Sequence, residues 1–321
     1  MILLVAFIAK QLPSCIHSVF VEKYITYYKQ RLMRGDSIIM DVDSTYTLSN
    51  GVKIPCIGFG TWQIASGQAT VDAVKEALRA GYRHIDTASI YGNEESVGRA
   101  IRQSCINPQE IFVTTKLWNS DHGYEETLKA FELSRRKLGL DIIDLYLIHW
   151  PNPKALRPDY AKHNAQSWRA MEELYESGQV RAIGVSNFLS HHLDALCKTA
   201  RIEPMVNQIP IHPGCAQETL VTHCQKRDIL AEAYSPLGTG KLITNNKIQA
   251  IAQKYHKGSA QICLRWSLQM GFLPLPKSIT PKYIQENVNI FDFELDTDDI
   301  DALSALKEDV PAVMDPDRVP F

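Results

Sequence analysis

Three short apolar segments of the chain each end in an ionisable side chain, and these side chains are Asp86, Lys116 and His149. Tyr91 follows Asp86 by five residues. A lone charge buried in an apolar interior costs several kcal/mol, so we expect Asp86 and Lys116 to form an ion pair. A lysine beside a phenol favours the phenolate, and we therefore expect the pKa of Tyr91 to lie below its usual value of about 10. This combination predicts a general acid at Tyr91, with His149 orienting a carbonyl oxygen or relaying a proton.

Each of these residues also has a purely structural interpretation. Asp86 can cap the helix that follows it, Lys116 can be a rim charge with a buried stem, and His149 can be a hydrogen-bonded core histidine. Packing alone does not require Asp, Lys and His at the ends of three successive strands with a tyrosine nearby. Taken together, the four residues therefore predict an active site.

The segments that carry these residues belong to a regular alternation of strands and helices. Apolar or β-branched runs, each followed by an amphipathic helix, recur along the chain. The predicted strands are 57–61, 84–86, 111–116, 143–149, 180–186, 205–208, 229–234 and 272–276. The predicted helices are 71–80, 96–103, 124–138, 166–177, 192–199, 217–226, 260–269 and one near Ile284. Eight such units with no Pro- or Gly-rich linker predict an α/β fold, a single (β/α)8 TIM barrel.

A β-hairpin is predicted ahead of the first barrel strand. Segments 46–48 and 52–54 flank Asn50 and Gly51, a pair favoured in tight type I′ turns, and we expect this hairpin to close the bottom of the barrel. In barrels of this kind, catalytic residues lie at the C-terminal ends of the strands. The three ionisable residues fall at such ends, so the predicted fold would bring them together.

Composition excludes several classes of partner. Lysine and arginine number 34 and aspartate and glutamate 36, which gives a net charge of −2. A near-neutral surface lacks the charge that captures nucleic acid or an anionic membrane, so we expect neither as a partner. Seven cysteines without a C-x-x-C pair fit neither a secreted disulfide scaffold nor a zinc module. We expect reduced thiols and a cytoplasmic protein.

Residues 1–39 are predicted to be an N-terminal extension, and residues 40–321 to be the barrel domain. The apolar run 1–9 is shorter than the roughly 20 residues that span a bilayer, and no basic region precedes it. The remainder of the extension shows little apolar periodicity. We expect the extension to be disordered or to be an over-called start upstream of Met40, and in either case to be dispensable.

Four motifs surround the ionisable residues: G-Y-R-H-I-D-T-A at 81–88, Y-G-N-E at 91–94, T-K-L-W at 115–118 and L-I-H-W-P at 147–151. With these motifs, the chain from about Tyr46 onward resembles the aldo-keto reductases. The resemblance implies that Asp86, Tyr91, Lys116 and His149 form the family's catalytic tetrad. It implies that a reduced nicotinamide delivers hydride to an aldehyde or ketone while Tyr91 donates a proton to the oxygen.

The resemblance also implies where the cofactor binds. The sequence has no G-x-G-x-x-G after a strand and no G-x-x-x-x-G-K-[ST], so the barrel itself must bind the nicotinamide cofactor. The family pattern implies a carboxamide held by an Ser-Asn pair and a Gln, a Tyr stacked on the ring, and an adenosine phosphate near 276–287. Taken alone, the Ser-Asn pair can also be a helix cap. The cofactor-binding residues implied in this way are Gly60, Thr61, Trp62, Asp86, Ser186, Asn187, Gln208, Tyr234, Ser235, Pro236, Leu237, Gly238, Pro276, Lys277, Ser278, Ile279, Thr280, Tyr283, Glu286 and Asn287.

Tyr283 departs from the family pattern. The family commonly has an arginine six residues after the lysine that is Lys277 here, and that arginine holds the 2′-phosphate of NADP. A tyrosine can stack on adenine but carries no positive charge. The resemblance therefore implies NADPH as cofactor, while Tyr283 keeps NADH open as a second one.

The family resemblance implies a substrate pocket lined by Trp62, Tyr91, Trp118 and His149, although either tryptophan can also be a half-buried rim residue. The short loop after the seventh strand is similar to that of prokaryotic members acting on diketogluconate, methylglyoxal and other small carbonyls. We expect residues 314–321 to fold over the barrel mouth, a small carbonyl substrate, and a monomer.

Two other functional classes are compatible with parts of this sequence. A nicotinamide-binding regulatory barrel without significant turnover is the alternative, because fold does not fix function, but an intact tetrad argues against it. A metal-dependent hydrolase is suggested by His84, His149, His191, His192 and His212. These histidines form no H-x-H at a strand end and lack clustered carboxylates, so we predict no metal.

Overall fold

The structure, a computed structural model, describes residues 40–321. The predictions made for residues 1–39 lie outside the described residues. Two short antiparallel strands come first, β1 (Thr45–Thr47) and β2 (Lys53–Pro55), and eight parallel strands follow. The parallel strands are β3 (Phe59–Gly60), β4 (His84–Asp86), β5 (Phe112–Leu117), β6 (Ile143–Ile148), β7 (Val180–Ser186), β8 (Val206–Pro210), β9 (Leu230–Tyr234) and β10 (Leu273–Leu275).

The parallel strands pair in chain order from β3 to β10. Two backbone hydrogen bonds join the first strand to the last: Gly58 N donates to Pro274 O at 3.0 Å, and Gly60 N donates to Pro276 O at 3.0 Å. The sheet therefore closes on itself, which confirms the predicted (β/α)8 barrel. The strand bounds agree with the predicted ones to within about two residues.

Helices follow the strands around the barrel. They are α1 (Gln68–Arg79), α2 (Glu94–Gln103), α3 (Tyr124–Leu138), α4 (Tyr160–Glu176), α5 (Ser190–Cys197), α6 (Glu218–Lys226), α7 (Asn246–Lys254), α8 (Ser259–Gln269), α9 (Pro281–Val288) and α10 (Thr297–Ser304). Two short ones, α7 and α10, were not predicted. Each begins with a side-chain cap: Asn245 accepts from Lys247 N at 3.0 Å, and Asp296 accepts from Asp299 N at 2.9 Å. None of the helices within residues 40–321 is long and apolar enough to cross a membrane.

The hairpin lies where it was predicted, but its turn differs. Leu48 O accepts from Gly51 N at 2.8 Å, Leu48 N donates to Val52 O at 2.9 Å, and of Asn50 and Gly51 only the glycine has a positive φ, of 85°. A type I′ turn needs positive φ at both central residues, so the predicted turn type is wrong. The loop is a three-residue connection with Gly51 in the left-handed position, which also shifts the strands by one residue.

The hairpin packs on the N-terminal end of the barrel. Tyr46 Oη donates to Phe272 O at 3.2 Å, just before β10 begins, and Asn50 Nδ2 donates to Arg181 O at 3.0 Å, near the start of β7. Within the hairpin, Tyr46 of β1 and Ile54 of β2 are buried. This confirms that the hairpin closes the bottom of the barrel and leaves the opposite end, where the strands terminate, open for the site.

Candidate active site

Asp86 and Lys116 form a buried ion pair inside the barrel. Asp86 is the last residue of β4, and Lys116 lies on the adjacent strand β5. Lys116 Nζ donates to both carboxylate oxygens of Asp86 at 2.7 Å, and to Thr87 O at 3.0 Å. Lys116 is completely buried, so it is not a snorkelling rim charge, and Asp86 is engaged with Lys116 and not with a helix terminus. The predicted ion pair is confirmed.

Tyr91 lies above this ion pair, at the end of a short 3-10 helix, Ser89–Tyr91. Lys116 Nζ is 5.2 Å from the centroid of the Tyr91 ring. The 3-10 helix is fixed at one end because Ser89 Oγ donates to Lys116 O at 3.0 Å. At the other end Asn93 accepts a hydrogen bond from Thr87 Oγ1 at 2.7 Å and donates to Thr61 O at 3.0 Å. The loops after β3 and β4 therefore hold Tyr91 at the barrel mouth.

The pKa of Tyr91 moves in the direction opposite to the one expected from sequence. Burial, and then the Asp86 carboxylate, raise the pKa of the Tyr91 phenol well above its usual value. Asp86 neutralises Lys116 at 2.7 Å, so the lysine does not act on the phenol as an isolated charge. The expectation of a lowered pKa is wrong, and Tyr91 stays protonated, which is the state a proton donor requires.

His149 follows β6 and stands beside Tyr91, with the two ring centroids 5.7 Å apart. Burial, and then the Lys116 charge, lower the pKa of His149 well below its usual value, so the imidazole is neutral. Its Nδ1 atom has no hydrogen-bond partner among the described residues. A hydrogen-bonded core histidine would have such a partner, so the contacts of His149 favour a role at the site over a purely structural one.

Asn187 belongs to a row of amide and hydroxyl groups that continues from His149 around the mouth. Asn187 Nδ2 donates to His149 O at 3.0 Å and to Ser186 Oγ at 3.2 Å, while Asn187 Oδ1 accepts from Tyr234 Oη at 2.8 Å. Both amide hydrogens of Asn187 are therefore used, and its remaining capacity is as an acceptor. Ser186 and Asn187 are not helix caps, because α5 begins only at Ser190.

Gln208, like Asn187, uses both of its amide hydrogens within the protein. Its Nε2 donates to Asp86 Oδ2 at 2.8 Å and to Glu232 Oε2 at 2.6 Å, which leaves Oε1 as the free group. Two neighbouring amides, Asn187 and Gln208, thus offer acceptor oxygens at the barrel mouth. A primary carboxamide, which presents an NH2 group, fits that pair of acceptors.

Glu232 is a site residue that the sequence prediction missed. It lies on β9, is completely buried, and contacts the tetrad through Gln208. The signal was present, since Glu232 is a carboxyl inside the apolar segment 229–234. Asp86 and Lys116 were predicted on the same ground, as ionisable residues in short apolar segments.

The predicted phosphate-binding residues lie along the rim. After β9, positive φ values occur at Ser235 (49°), Gly238 (56°) and Thr239 (54°), a turn geometry of the kind that directs backbone N–H groups into anion-binding concavities. Leu237 is partly exposed in this turn, and Pro236 is buried in it.

The segment after β10 is the second part of this rim. Its exposed members are Lys277, Ile279, Thr280, Tyr283 and Glu286, whereas Ser278 is partly exposed and Pro276 and Asn287 are buried. The Tyr283 side chain is 54% exposed. On the adjoining strand β3, Gly60 N donates to Pro276 O, and just after that strand Thr61 Oγ1 donates to Asp86 O at 2.9 Å.

The two tryptophans predicted to line the pocket differ in their contacts and exposure. Trp118 packs edge-on against His149 with ring centroids 5.2 Å apart, whereas Trp62 is 47% exposed. The C-terminal segment adds an aromatic that was not among the predicted pocket residues: the Phe321 ring is 5.7 Å from Trp118 and 5.3 Å from Trp150. The C-terminal segment thus folds against the mouth, as predicted.

Asp317 anchors this segment. Its Oδ1 accepts from Asn152 Nδ2 at 2.9 Å and lies 2.9 Å from His192 Nε2, and its Oδ2 lies 3.2 Å from His191 Nε2. His191, His192 and Asp317 are the one group of three possible metal ligands among the described residues. His192 Nδ1 accepts from Leu189 N at 3.1 Å, so Nε2 carries the proton and donates to Asp317. A nitrogen that carries a proton has no lone pair for a metal, and the cluster is better explained as a tail anchor.

The barrel and the polar group at its mouth define an oxidoreductase site of the (β/α)8 type. The model of the aldo/keto reductase family matches residues 56–308, and the chain belongs to that family.

Relatives and solved structures agree with this assignment. The chain is 47% identical over 277 residues to glyoxal reductase of Bacillus subtilis, covering 86% of this chain and 98% of that one. A crystal structure of an aldo/keto reductase from Brucella melitensis is 51% identical, with a TM-score of 0.78 over 84% of this chain and 99% of that one. A variant of Gox0644 in complex with NADPH is 39% identical, with a TM-score of 0.81 over 88% of this chain and 100% of that one.

Proposed function

We propose that this protein reduces small aldehydes and ketones to alcohols with a reduced nicotinamide cofactor. The observation that carries the proposal is the buried Asp86–Lys116 ion pair at 2.7 Å beneath a protonated Tyr91, with a neutral His149 beside it. Family membership and the similarity to a glyoxal reductase support the same reaction. A regulatory barrel without turnover would not need this arrangement.

In the proposed reaction, Tyr91 donates its phenolic proton to the substrate oxygen. A reduced nicotinamide, when bound, supplies the hydride that the carbonyl carbon accepts. Lys116 Nζ lies 5.2 Å from the Tyr91 ring, and its positive charge, which Asp86 offsets in part, favours the phenolate that remains after proton transfer. Neutral His149 has an imidazole N–H that can donate a hydrogen bond to the carbonyl oxygen and hold it towards Tyr91.

The residues present fit a nicotinamide. Asn187 and Gln208 each have both amide hydrogens committed. Gln208 Oε1 is free to accept, and Asn187 Oδ1, which accepts from Tyr234, has a second lone pair, so the two oxygens suit the NH2 group of a carboxamide. Tyr234 is partly exposed on the same rim, and its hydroxyl holds Asn187, so its ring can cover one face of a planar ligand. Together, Ser186, Asn187, Gln208 and Tyr234 would hold the cofactor's nicotinamide end.

The remaining proposed contacts concern the phosphates. The turn at Ser235 to Gly238 would meet the pyrophosphate, and Lys277 with Ser278 would meet the adenosine phosphate. Tyr283 is exposed and uncharged where the family commonly has an arginine, so we propose that NADPH and NADH are discriminated only modestly. The similar structure with NADPH supports a nicotinamide cofactor without deciding between the two.

The substrate is proposed to be a small carbonyl compound. Trp118, His149 and Phe321 stand together at the mouth and restrict the space above Tyr91. Operation as a monomer in the cytoplasm stays a prediction.

The experiment that tests the proposal is a panel of small aldehydes and ketones, including glyoxal and methylglyoxal, assayed with NADPH and with NADH. Consumption of the reduced cofactor at 340 nm together with alcohol formation is expected. Cofactor binding without turnover across the panel would instead support the regulatory barrel.

A further inference from the structure

Glu232 is a second buried carboxyl group beneath the mouth of the barrel, and the proposed reaction leaves it without a role. It is completely buried on β9. The charged and titratable groups that face it are His84 and Asp86 from β4 and Lys116 from β5. Of the two strands that flank β9, β8 contributes Gln208, and β10 contributes the apolar sequence L-P-L.

Gln208 connects Glu232 to the tetrad. One of its two amide hydrogens bonds Asp86 Oδ2 at 2.8 Å and the other bonds Glu232 Oε2 at 2.6 Å. Asp86, which is paired with Lys116, can only accept, so the orientation of the amide is determined and Oε1 must point away from Asp86. Removing Glu232 would release one side of Gln208 and let the amide turn.

Glu232 has no cation of its own. Lys116 is bound to Asp86, and the nearest basic atom, His84 Nε2, is 3.7 Å from Glu232 Oε1. Burial, and then Lys116, lower the pKa of His84 to about 3, so His84 is neutral. Glu232 Oε1 has no hydrogen-bond partner among the described residues. Burial, and then Asp86, raise the pKa of Glu232 to about 8, so Glu232 is a neutral acid at pH 7.

We propose that Glu232 is a positioning residue with two functions: in its neutral form it fixes Gln208, and when it ionises it favours the oxidised cofactor over the reduced one. This inference rests on the proposed function, in which Gln208 holds the carboxamide. The oxidised nicotinamide ring is positively charged and the reduced ring is neutral. A new negative charge next to Gln208 therefore stabilises only the oxidised form.

The test measures the dissociation constants of NADPH and NADP+ by fluorescence quenching between about pH 6 and pH 9. In the natural protein, the ratio of the NADP+ constant to the NADPH constant should fall by on the order of 10-fold as the pH rises through about 8. Protonation of the 2′-phosphate affects both forms alike and cancels in the ratio. In Glu232→Gln, which keeps an acceptor for Gln208 but cannot ionise, the ratio should not change.

Two variants complete the comparison. Glu232→Leu removes the acceptor, so both cofactor forms should bind roughly 3- to 10-fold more weakly at every pH because Gln208 is no longer held. Glu110→Gln, at an exposed position between α2 and β5, is the matched control and should behave like the natural protein. A pH-dependent ratio that persists in Glu232→Gln would overturn the inference.

A second readout needs no cofactor. The pKa of Glu232 is raised in the folded protein, to about 8, and lies near 4.5 in the unfolded chain. Above about pH 4.5 the unfolded chain loses this proton while the folded protein keeps it, so stability is lost as the pH rises from about 5 to 8. The melting temperature of the natural protein should therefore fall relative to that of Glu232→Gln over this range.

The outcomes separate this inference from the proposed function. If the melting temperatures of the natural protein and Glu232→Gln change with pH in parallel, Glu232 is ionised throughout this range. That result would overturn the inference, whatever the cofactor measurements show. Diverging melting curves with a constant cofactor ratio would also overturn it, while leaving carbonyl reduction standing. If neither cofactor form binds the natural protein, the proposed function fails, and the inference fails with it.

Discussion

Lys116→Met removes the positive half of the buried ion pair while keeping an unbranched side chain of similar length. The Asp86 carboxylate is 4% exposed and accepts two hydrogen bonds from Lys116 at 2.7 Å and one from Gln208 at 2.8 Å. After the substitution only the Gln208 bond remains. Breaking a buried ion pair by removing one partner costs about 3 to 5 kcal/mol, because the other charge is left uncompensated.

The double variant Asp86→Asn with Lys116→Met tests this reasoning. A loss of 3 to 5 kcal/mol corresponds to a fall in melting temperature of roughly 6 to 20 °C for a domain of this size. Removing both charges leaves no unpaired ion, so the double variant should recover half of the loss or more. Lys116→Met and the double variant should both lose most of their carbonyl reductase activity, because in both Tyr91 lacks the positive charge that favours its phenolate.

The assay is thermal unfolding of the cofactor-free proteins followed by circular dichroism, with steady-state turnover measured in parallel. A Lys116→Met protein that melts within about 2 °C of the natural protein would refute the reasoning, since Asp86 would then not depend on Lys116. A double variant that is no more stable than Lys116→Met would equally contradict a direct pair.

Three further outcomes follow from the structure. Tyr283→Arg should tighten NADPH by roughly 10- to 150-fold with little effect on NADH, measured by fluorescence quenching; an NADPH preference that is already strong and does not change would show that the 2′-phosphate lies elsewhere. A chain that begins at Met40 should fold and retain activity, and an insoluble or inactive product would mean that residues 1–39 are a packed element. Asp317→Ala should raise KM for small carbonyls roughly 3- to 10-fold while leaving the Kd for NADPH unchanged, because the bonds from His192 and Asn152 that anchor the C-terminal segment are lost. An unchanged KM would mean that the contacts of Asp317 do not shape the substrate pocket.

The barrel could be predicted from sequence because its signals are local. Each strand is a short apolar run, and each predicted helix has its own periodicity. The ionisable residues at the strand ends could be found for the same reason, since a charge in an apolar run stands out. Their pairing then followed from the cost of burying a lone charge. Glu232 carried the same signal and was missed.

Other features depend on contacts that no local pattern records. The sign of the pKa shift at Tyr91 depends on how completely Asp86 neutralises Lys116, which is a matter of distance. Phe321 contacts Trp118, which lies about 200 residues earlier in the chain, and the periodicity of apolar residues cannot predict a contact between such distant positions. The hairpin turn was assigned the wrong type because Asn-Gly is compatible with more than one turn geometry.

The most direct test of the central claim, that Tyr91 is the proton donor for carbonyl reduction, is the turnover of Tyr91→Phe with a small aldehyde and saturating NADPH. The substitution removes one hydroxyl and keeps the ring that packs against His149. We predict an unchanged Kd for NADPH and a kcat lower by roughly 10² to 10⁴ fold, the usual contribution of a general acid. Turnover near that of the natural protein would contradict the claim.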